Sequence, residues 1–270
     1  MNKIYIQAWI DLAIEDLEVS KILFESEKYS NSYYHFQQAS EKGLKAYAFM
    51  VKIFTSVKDA NNTSHYTLKV FIDSVNERQK EIAFLKDKGF EKMIGTENLE
   101  DYSNNLESGR NSLPKRKEIF EYSNQILDEI LNNLNELKIF KIEFQDDYKK
   151  LLIENTSLIF DLLYKSDPEK AENARKDFKE LIEDENQLNE LVENTKKHIK
   201  NTITENFYVL VLLYSNLISH NHNNLARYPE IDFNPLEYYN LNCPIIQKLP
   251  EFIQNLNLAL LQIKKWNDHT

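Results

Sequence analysis

The stretch YYHFQQASEKGLKAYAFM, residues 33–50, has a clear helical pattern. Its apolar and small side chains recur every three or four residues, at Phe36, Ser40, Gly43, Leu44 and Tyr47. The small residues Ser40 and Gly43 favour close approach by a neighbouring helix. Glu41 and Lys45 stand four apart, in the order that favours an ion pair on one helix face. The stretch therefore predicts an amphipathic helix with another helix packed closely against it.

Other segments repeat this helical pattern in both directions along the chain. Residues 8–29 predict an amphipathic helix, so residues 7–54 are expected to form an antiparallel helix pair. Residues 207–218, FYVLVLLYSNLI, are almost wholly apolar and predict a buried helix, and residues 248–266 predict the last helix. With only 4 glycines and 6 prolines in 270 residues, the composition also favours long helices over sheets with tight turns. The sequence therefore predicts an all-α fold.

The charged middle of the chain is also predicted to be helical. Asp167-Pro168 marks a helix start, because aspartate caps a helix and proline fits its first position. One heavily charged helix is predicted over residues 169–201, with a thin apolar stripe. Because this stripe covers only one face, we expect one-sided packing.

The net charge of −10, with a pI near 5.2, argues against non-specific binding to a nucleic-acid backbone. A small basic site remains compatible with that charge. Cys243 is the only cysteine, which excludes an internal disulfide and fits a reducing cytoplasm. The apolar run at residues 207–214 is too short to span a bilayer, and the amino-terminal residues do not resemble a signal peptide.

Three separate motifs resemble those of the HEPN family (higher eukaryotes and prokaryotes nucleotide-binding). The first lies in residues 33–46 and is carried by Tyr33, Phe36, Gln37, Gln38, Ala39, Glu41, Lys42, Leu44, Lys45 and Ala46. The second is HYTLKVF at residues 65–71, and the third is Arg227-Tyr228-Pro229 in ARYPE. The motifs follow one another in the order that the family shows.

This resemblance implies an up-and-down helical bundle with an inserted helical subdomain. The first half of the bundle is predicted at residues 1–75, the insertion at 76–202 and the second half at 203–270. Family members commonly form homodimers. Some are partners of minimal nucleotidyltransferases in toxin–antitoxin or defence systems, and others are ribonucleases. The resemblance thus implies either a partner-binding or nucleotide-binding module or a ribonuclease.

Ribonucleases of the family resemble one another in an arginine followed four to six residues later by a histidine. The histidine transfers a proton and the arginine stabilises the charged phosphorane. None of the five arginines in this sequence has a histidine at that spacing, and His222 and Arg227 stand in the reverse order. The candidates for an atypical ribonuclease site are therefore His65, His222 and Arg227. A third hypothesis is a helical scaffold whose charged middle segment mediates oligomerisation.

Six residues are candidates for binding a nucleotide or a partner: Gln38, Glu41, Lys42, Lys45, Arg227 and Tyr228. The guanidinium of Arg227 suits a phosphate, but the favoured interpretation is architectural, with Arg227 bonded to a carboxylate such as Asp11, Asp16 or Glu41. His220 and His222 stand two apart, which suits metal ligation from an extended segment, but a helix end is the favoured interpretation. No metal and no cofactor is therefore predicted.

Overall fold

Helices make up most of the part of the chain that the structure describes. This computed structural model describes residues 3–63, 70, 80, 83, 104, 122–139, 144, 146–222 and 224–269. The helices are α1 Lys3–Glu25, α2 Tyr29–Met50, α3 Val57–Thr63, α4 Asn124–Ile139, α5 Tyr148–Ser166, α6 Pro168–Glu183, α7 Glu185–Ser219, α8 Pro235–Tyr238 and α9 Pro244–His269. Apart from one isolated bridge between Glu230 and Phe233, these described ranges contain no β-structure. The all-α prediction is confirmed.

Helices α1 and α2 form the predicted antiparallel pair. Near their connection, the hydroxyl of Ser20 donates to the carbonyl of Ser32 at 2.8 Å, and the Ser32 hydroxyl donates to the Ser20 carbonyl at 2.8 Å. At the far end of the pair, the rings of Tyr5 and Phe49 meet edge to face, 5.4 Å apart. No side chain caps α2 at Lys28.

The chain divides into two compact units, of which the first contains residues 1–74, 110–139 and 206–270. Its core is formed by α1, α2, α4, the last part of α7 and α9. Phe207, Val211 and Leu212 of α7 are buried there, as the apolar run predicted. The hydroxyl of Tyr33 donates to the Ile218 carbonyl at 2.7 Å, which satisfies one of the carbonyl groups left open at the end of α7.

Gly43 lies where α2 is packed against α7 and α9. A Cβ atom at this position would stand 2.6 Å from Leu260 Cδ2 and 3.1 Å from Leu212 Cδ2. The first distance is shorter than van der Waals contact allows, and Leu260 is fully buried, so it has little room to move. The small residue at position 43 therefore permits the close helix approach that the sequence indicated.

Helix α4 belongs to the first unit. Its side chains Leu127, Leu131 and Leu134 are buried in the core, and Lys248 of α9 pairs with Asp128 at 2.5 Å. The sequence had assigned this helix to the segment 76–202. The apolar face of α4 joins it to the bundle, and the predicted boundaries of that segment stay a prediction.

The second unit contains residues 75–109 and 140–205. Within it α5 packs against α6, with the rings of Phe160 and Phe178 5.4 Å apart. Arg175 pairs with Asp161 and lies 5.6 Å from the ring centroid of Tyr164. Most other side chains of α6 are exposed, and only Ala171 is buried. This one-sided packing agrees with the thin apolar stripe of the sequence.

Three helix boundaries differ from the sequence prediction. The helix predicted over 169–201 is broken at Asp184, whose carboxylate accepts from the backbone N–H groups of Asn186 and Gln187 and so starts α7. Helix α7 then continues to Ser219 without the predicted interruption. The last helix starts at Pro244, so Pro250 lies within it. The start at Asp167 is confirmed, since its carboxylate accepts from Lys170 N–H at 3.0 Å. Among the described helices, none is both long enough and apolar enough to cross a membrane.

We expect Gly43→Val to lower the free energy of unfolding by about 1–3 kcal/mol, because the added methyl groups would overlap Leu260 and Leu212. Urea unfolding of the purified chain measures this. The matched double variant adds Leu260→Ala, which opens space for the valine. The loss caused by Gly43→Val should shrink in that background, and a variant as stable as the parent would contradict the close approach.

Candidate functional site

The segment that follows α7 is fixed against the first turn of α2. After the short 3-10 turn His220–His222, the chain makes a further turn in which the Arg227 N–H donates to the Asn224 carbonyl at 3.0 Å. The buried hydroxyl of Ser30 donates to the carbonyl of Ala226 at 2.7 Å. Arg227 is thereby held beside the start of α2, although the two residues are far apart in sequence.

Arg227 is exposed and lies against two tyrosine rings. Its guanidinium carbon is 4.7 Å from the ring centroid of Tyr34 and 4.9 Å from that of Tyr228. Among the described residues, no carboxylate lies within ion-pair distance of Arg227. Planar stacking on aromatic rings leaves the N–H edge of a guanidinium open to an anion. The Arg227 side chain is therefore oriented for binding at the surface.

The predicted bond between Arg227 and a carboxylate is wrong. Each of the carboxylates considered already holds a lysine: Asp11 binds Lys264, Asp16 binds Lys42 and Glu41 binds Lys45. The prediction assumed a charge close to the core that needed a counter-ion. Arg227 is solvated instead, so that need does not arise.

His222 points into a buried aromatic cluster. It is 4% exposed, and its Nδ1 lies 2.7 Å from the hydroxyl of Tyr239. Its ring also meets the edge of Tyr33, 5.4 Å away. Burial raises the pKa of Tyr33 and of Tyr239 well above the usual range, so both phenols stay neutral. His220 is also buried, at 6% exposure. These two histidines thus lie in the buried 3-10 turn that follows α7.

His222 and Arg227 do not form an active-site pair in this structure. One side chain is buried among tyrosines, the other is exposed, and no contact between them is described. His65, the remaining candidate, lies outside the described residues. Within the described ranges, no three histidine, cysteine, aspartate or glutamate side chains cluster as a metal site would require. A cavity of about 260 Å³ lies beside His222 and is lined by Tyr122, Ser123, Tyr238, Cys243, Pro244 and Ile245.

The candidates on α2 divide between the interior and the surface. Gln38 donates to Gln37, Gln37 donates to Glu41 at 3.0 Å, and Lys45 donates to Glu41 at 2.9 Å. The side chains of Lys45 and Glu41 are only 8% and 6% exposed. The Lys45 ammonium also lies 5.4 Å from the ring centroid of Trp9. Glu41 and Lys45 therefore form a buried ion pair inside the bundle.

Lys42 lies on a different side of α2 and faces α1. It pairs with Asp16, and the other oxygen of Asp16 is 3.0 Å from Nδ1 of His35. The His35 ring in turn meets the Tyr34 ring at 5.2 Å. His35 and Tyr34 were missed by the sequence analysis. The available signal was the spacing of seven residues between His35 and Lys42, which places both on one face of a helix.

The partly exposed site therefore consists of Arg227, Tyr34, Tyr228, His35, Asp16 and Lys42, named here the α2 surface site. It brings together three of the predicted binding residues, Lys42, Arg227 and Tyr228. It has two tyrosine rings, one guanidinium, one ammonium, one imidazole and one carboxylate. Such a set suits a phosphate attached to a planar group, because the guanidinium binds phosphate oxygens and tyrosine rings stack on bases.

The HEPN domain family model matches residues 6–195 of this chain. That range covers more than half of the sequence, and the chain belongs to the HEPN family. No curated protein and no solved structure matches the chain. The matched range begins in α1, runs through most of the segment predicted as an insertion and ends within α7, before Arg227. The division into 1–75, 76–202 and 203–270 therefore stays a prediction.

The buried ion pair provides a test of which α2 residues are structural. Glu41→Ala should lower the free energy of unfolding by about 3–5 kcal/mol, because it leaves the Lys45 charge buried without its partner. Glu25→Ala is the matched control, since Glu25 also pairs with a lysine four residues away, Lys21, but both side chains are exposed. The control should change stability by about 0.5 kcal/mol or less. Equal losses in thermal or urea unfolding would show that Glu41 is not structural.

Proposed function

We propose that this HEPN protein is a nucleotide-binding module that works with a protein partner. The observation that carries the proposal is the exposed guanidinium of Arg227, which contacts only the faces of Tyr34 and Tyr228 in the described chain. A stacked guanidinium loses little conformational freedom on binding and presents paired N–H donors to a phosphate. Lys42 pairs with Asp16, so this carboxylate does not oppose an anion bound by Arg227.

The charge of the whole chain favours a small ligand. At a net charge of −10, the protein repels a long nucleic-acid backbone, whose binding needs many lysines and arginines. A single nucleotide carries few phosphates and needs only a local cation pair. The Tyr228 ring is 54% exposed and can stack on the base. The site is thus better suited to a nucleotide than to a duplex or a long single strand.

We expect Arg227→Ala to raise the Kd for AMP, ADP or ATP about tenfold or more, because a hydrogen bond to a charged group contributes roughly 1.5–3 kcal/mol. Isothermal titration calorimetry measures this. Arg175→Ala is the matched control, since Arg175 also lies over a tyrosine but its guanidinium already pairs with Asp161. Both variants should keep a melting temperature close to that of the parent, because exposed cation–π contacts contribute about 0.5–1 kcal/mol. Unchanged affinity in Arg227→Ala would refute the proposal.

The ribonuclease alternative is decided by incubating the same proteins with RNA in EDTA. We expect no cleavage by the parent chain, because His222 is buried and hydrogen-bonded to Tyr239 and no Arg227–His222 contact is described. Cleavage that disappears in Arg227→Ala but persists in Arg175→Ala would establish the ribonuclease instead.

For the partner, we propose a minimal nucleotidyltransferase, the class that the family resemblance implies in toxin–antitoxin or defence systems. Large apolar side chains are exposed in the segment that begins at the site: Tyr228, Ile231, Leu236 and Leu241, at 54%, 102%, 76% and 55%. Exposed apolar groups favour coverage by another protein, and a partner here would lie next to the nucleotide.

The partner proposal is tested by co-purification with a nucleotidyltransferase encoded beside this chain. Ile231→Ser with Leu236→Ser should abolish the complex and leave the melting temperature unchanged, because both side chains are exposed. Retention of the complex with the nucleotidyltransferase by the double variant would assign the partner to another surface.

A homodimer is proposed from the resemblance alone, and the molar mass of the purified chain, measured by light scattering, tests it.

A further inference from the structure

One ring nitrogen of His35 contacts a carboxylate, and the other points away from it. Its Nδ1 lies 3.0 Å from Oδ1 of Asp16, and Asp16 also holds Lys42 through its other oxygen. In the part of the chain that the structure describes, no partner stands at Nε2 of His35. The His35 side chain is 29% exposed. Asp16 thus fixes the orientation of the His35 ring. A surface histidine without such a partner would lack a fixed orientation.

His35 and Arg227 lie against the same ring. The Tyr34 centroid is 5.2 Å from the centroid of His35 and 4.7 Å from the guanidinium carbon of Arg227. The imidazole of His35 and the guanidinium of Arg227 are therefore no farther apart than the sum of those values. A phosphate that accepts hydrogen bonds of about 2.9 Å on two sides has a reach of that order.

We propose that His35 makes the α2 surface site selective for a terminal phosphate, a phosphomonoester, over an internal phosphodiester. This inference rests on the proposed nucleotide-binding function and names the class of ligand for that site. A terminal phosphate has three free oxygens and a charge between about −1.5 and −2 at neutral pH. The fork of Arg227 takes two oxygens, and the third accepts from Nε2–H of His35. A diester has no third free oxygen and carries only one charge.

Nδ1 of His35 is directed at Asp16, so Nε2 is the ring nitrogen that can meet the phosphate. Lys42 offsets the charge of Asp16, so the carboxylate does not cancel the attraction of Arg227 for the phosphate. The third oxygen of a monoester thereby finds a partner in His35, and a diester has no such oxygen.

The test compares AMP with the dinucleoside monophosphate ApA, and with adenosine as the ligand without phosphate, by calorimetry on the full chain. The parent should bind AMP about tenfold or more tightly than ApA. His35→Asn removes Nε2 while its amide still donates to Asp16, so AMP affinity should fall to that of ApA and ApA affinity should not change. Arg227→Ala should weaken both, and Arg175→Ala should weaken neither.

Two outcomes separate this inference from the function on which it rests. If the parent binds AMP and ApA equally, or if His35→Asn keeps the preference, the role of His35 is refuted while nucleotide binding through Arg227 stands. If neither ligand binds the parent, both proposals fail. Melting temperatures check that each variant is folded. If His35→Asn is not folded, His35→Ala, which also removes Nε2, serves as the second variant, and the preference of the parent is informative without any variant.

Discussion

The structure depends on burying α2 on almost every side although the helix is rich in polar residues. Fourteen of its 22 residues are buried, more than one apolar face would provide. Gly43 lets Leu212 and Leu260 approach the α2 backbone, and this contact brings the helix against α7 and α9. Each polar side chain that is buried as a result must find a partner inside the protein, because an unpaired buried charge costs several kcal/mol. The hydrogen bond from Asn216 to Ser40 and the Glu41–Lys45 pair meet this requirement.

The same constraint separates the residues available for binding from those that are not. Side chains on the interior of α2 are occupied by one another, as Glu41 and Lys45 are. Those at the edge facing α1 remain partly exposed, with Lys42 at 23% and His35 at 29%. A motif in which several polar residues are adjacent in sequence therefore contains both structural and binding positions. The three-dimensional direction of each side chain, and not its residue type, decides which role it has.

The helices and the close packing at Gly43 were predictable, because the spacing of apolar residues and the size of each side chain can be read from the sequence. The capping of α6 by Asp167 was predictable for the same reason. The break at Asp184 was missed because an acidic residue within a charged run has no distinctive neighbour to mark it as a cap. The α2 surface site was found only in part. Its contacts join residues nearly 200 positions apart, such as Tyr34 and Arg227, and no local pattern encodes such a pairing.

Arg227 owes its position to the backbone as much as to its own side chain. The hydroxyl of Ser30 binds the carbonyl of Ala226, and the N–H groups of Arg227 and Tyr228 bind the Asn224 carbonyl, so the main chain is fixed on both sides of Arg227. Tyr34 lies one turn after Ser30 on α2, so the helix that anchors the loop also supplies the ring beneath the guanidinium. The burial of α2 that stabilises the bundle thus also sets the geometry of the surface site. A ligand held by Arg227 and His35 would bind to a rigid part of the fold, because α2 supplies His35 and fixes the loop that carries Arg227.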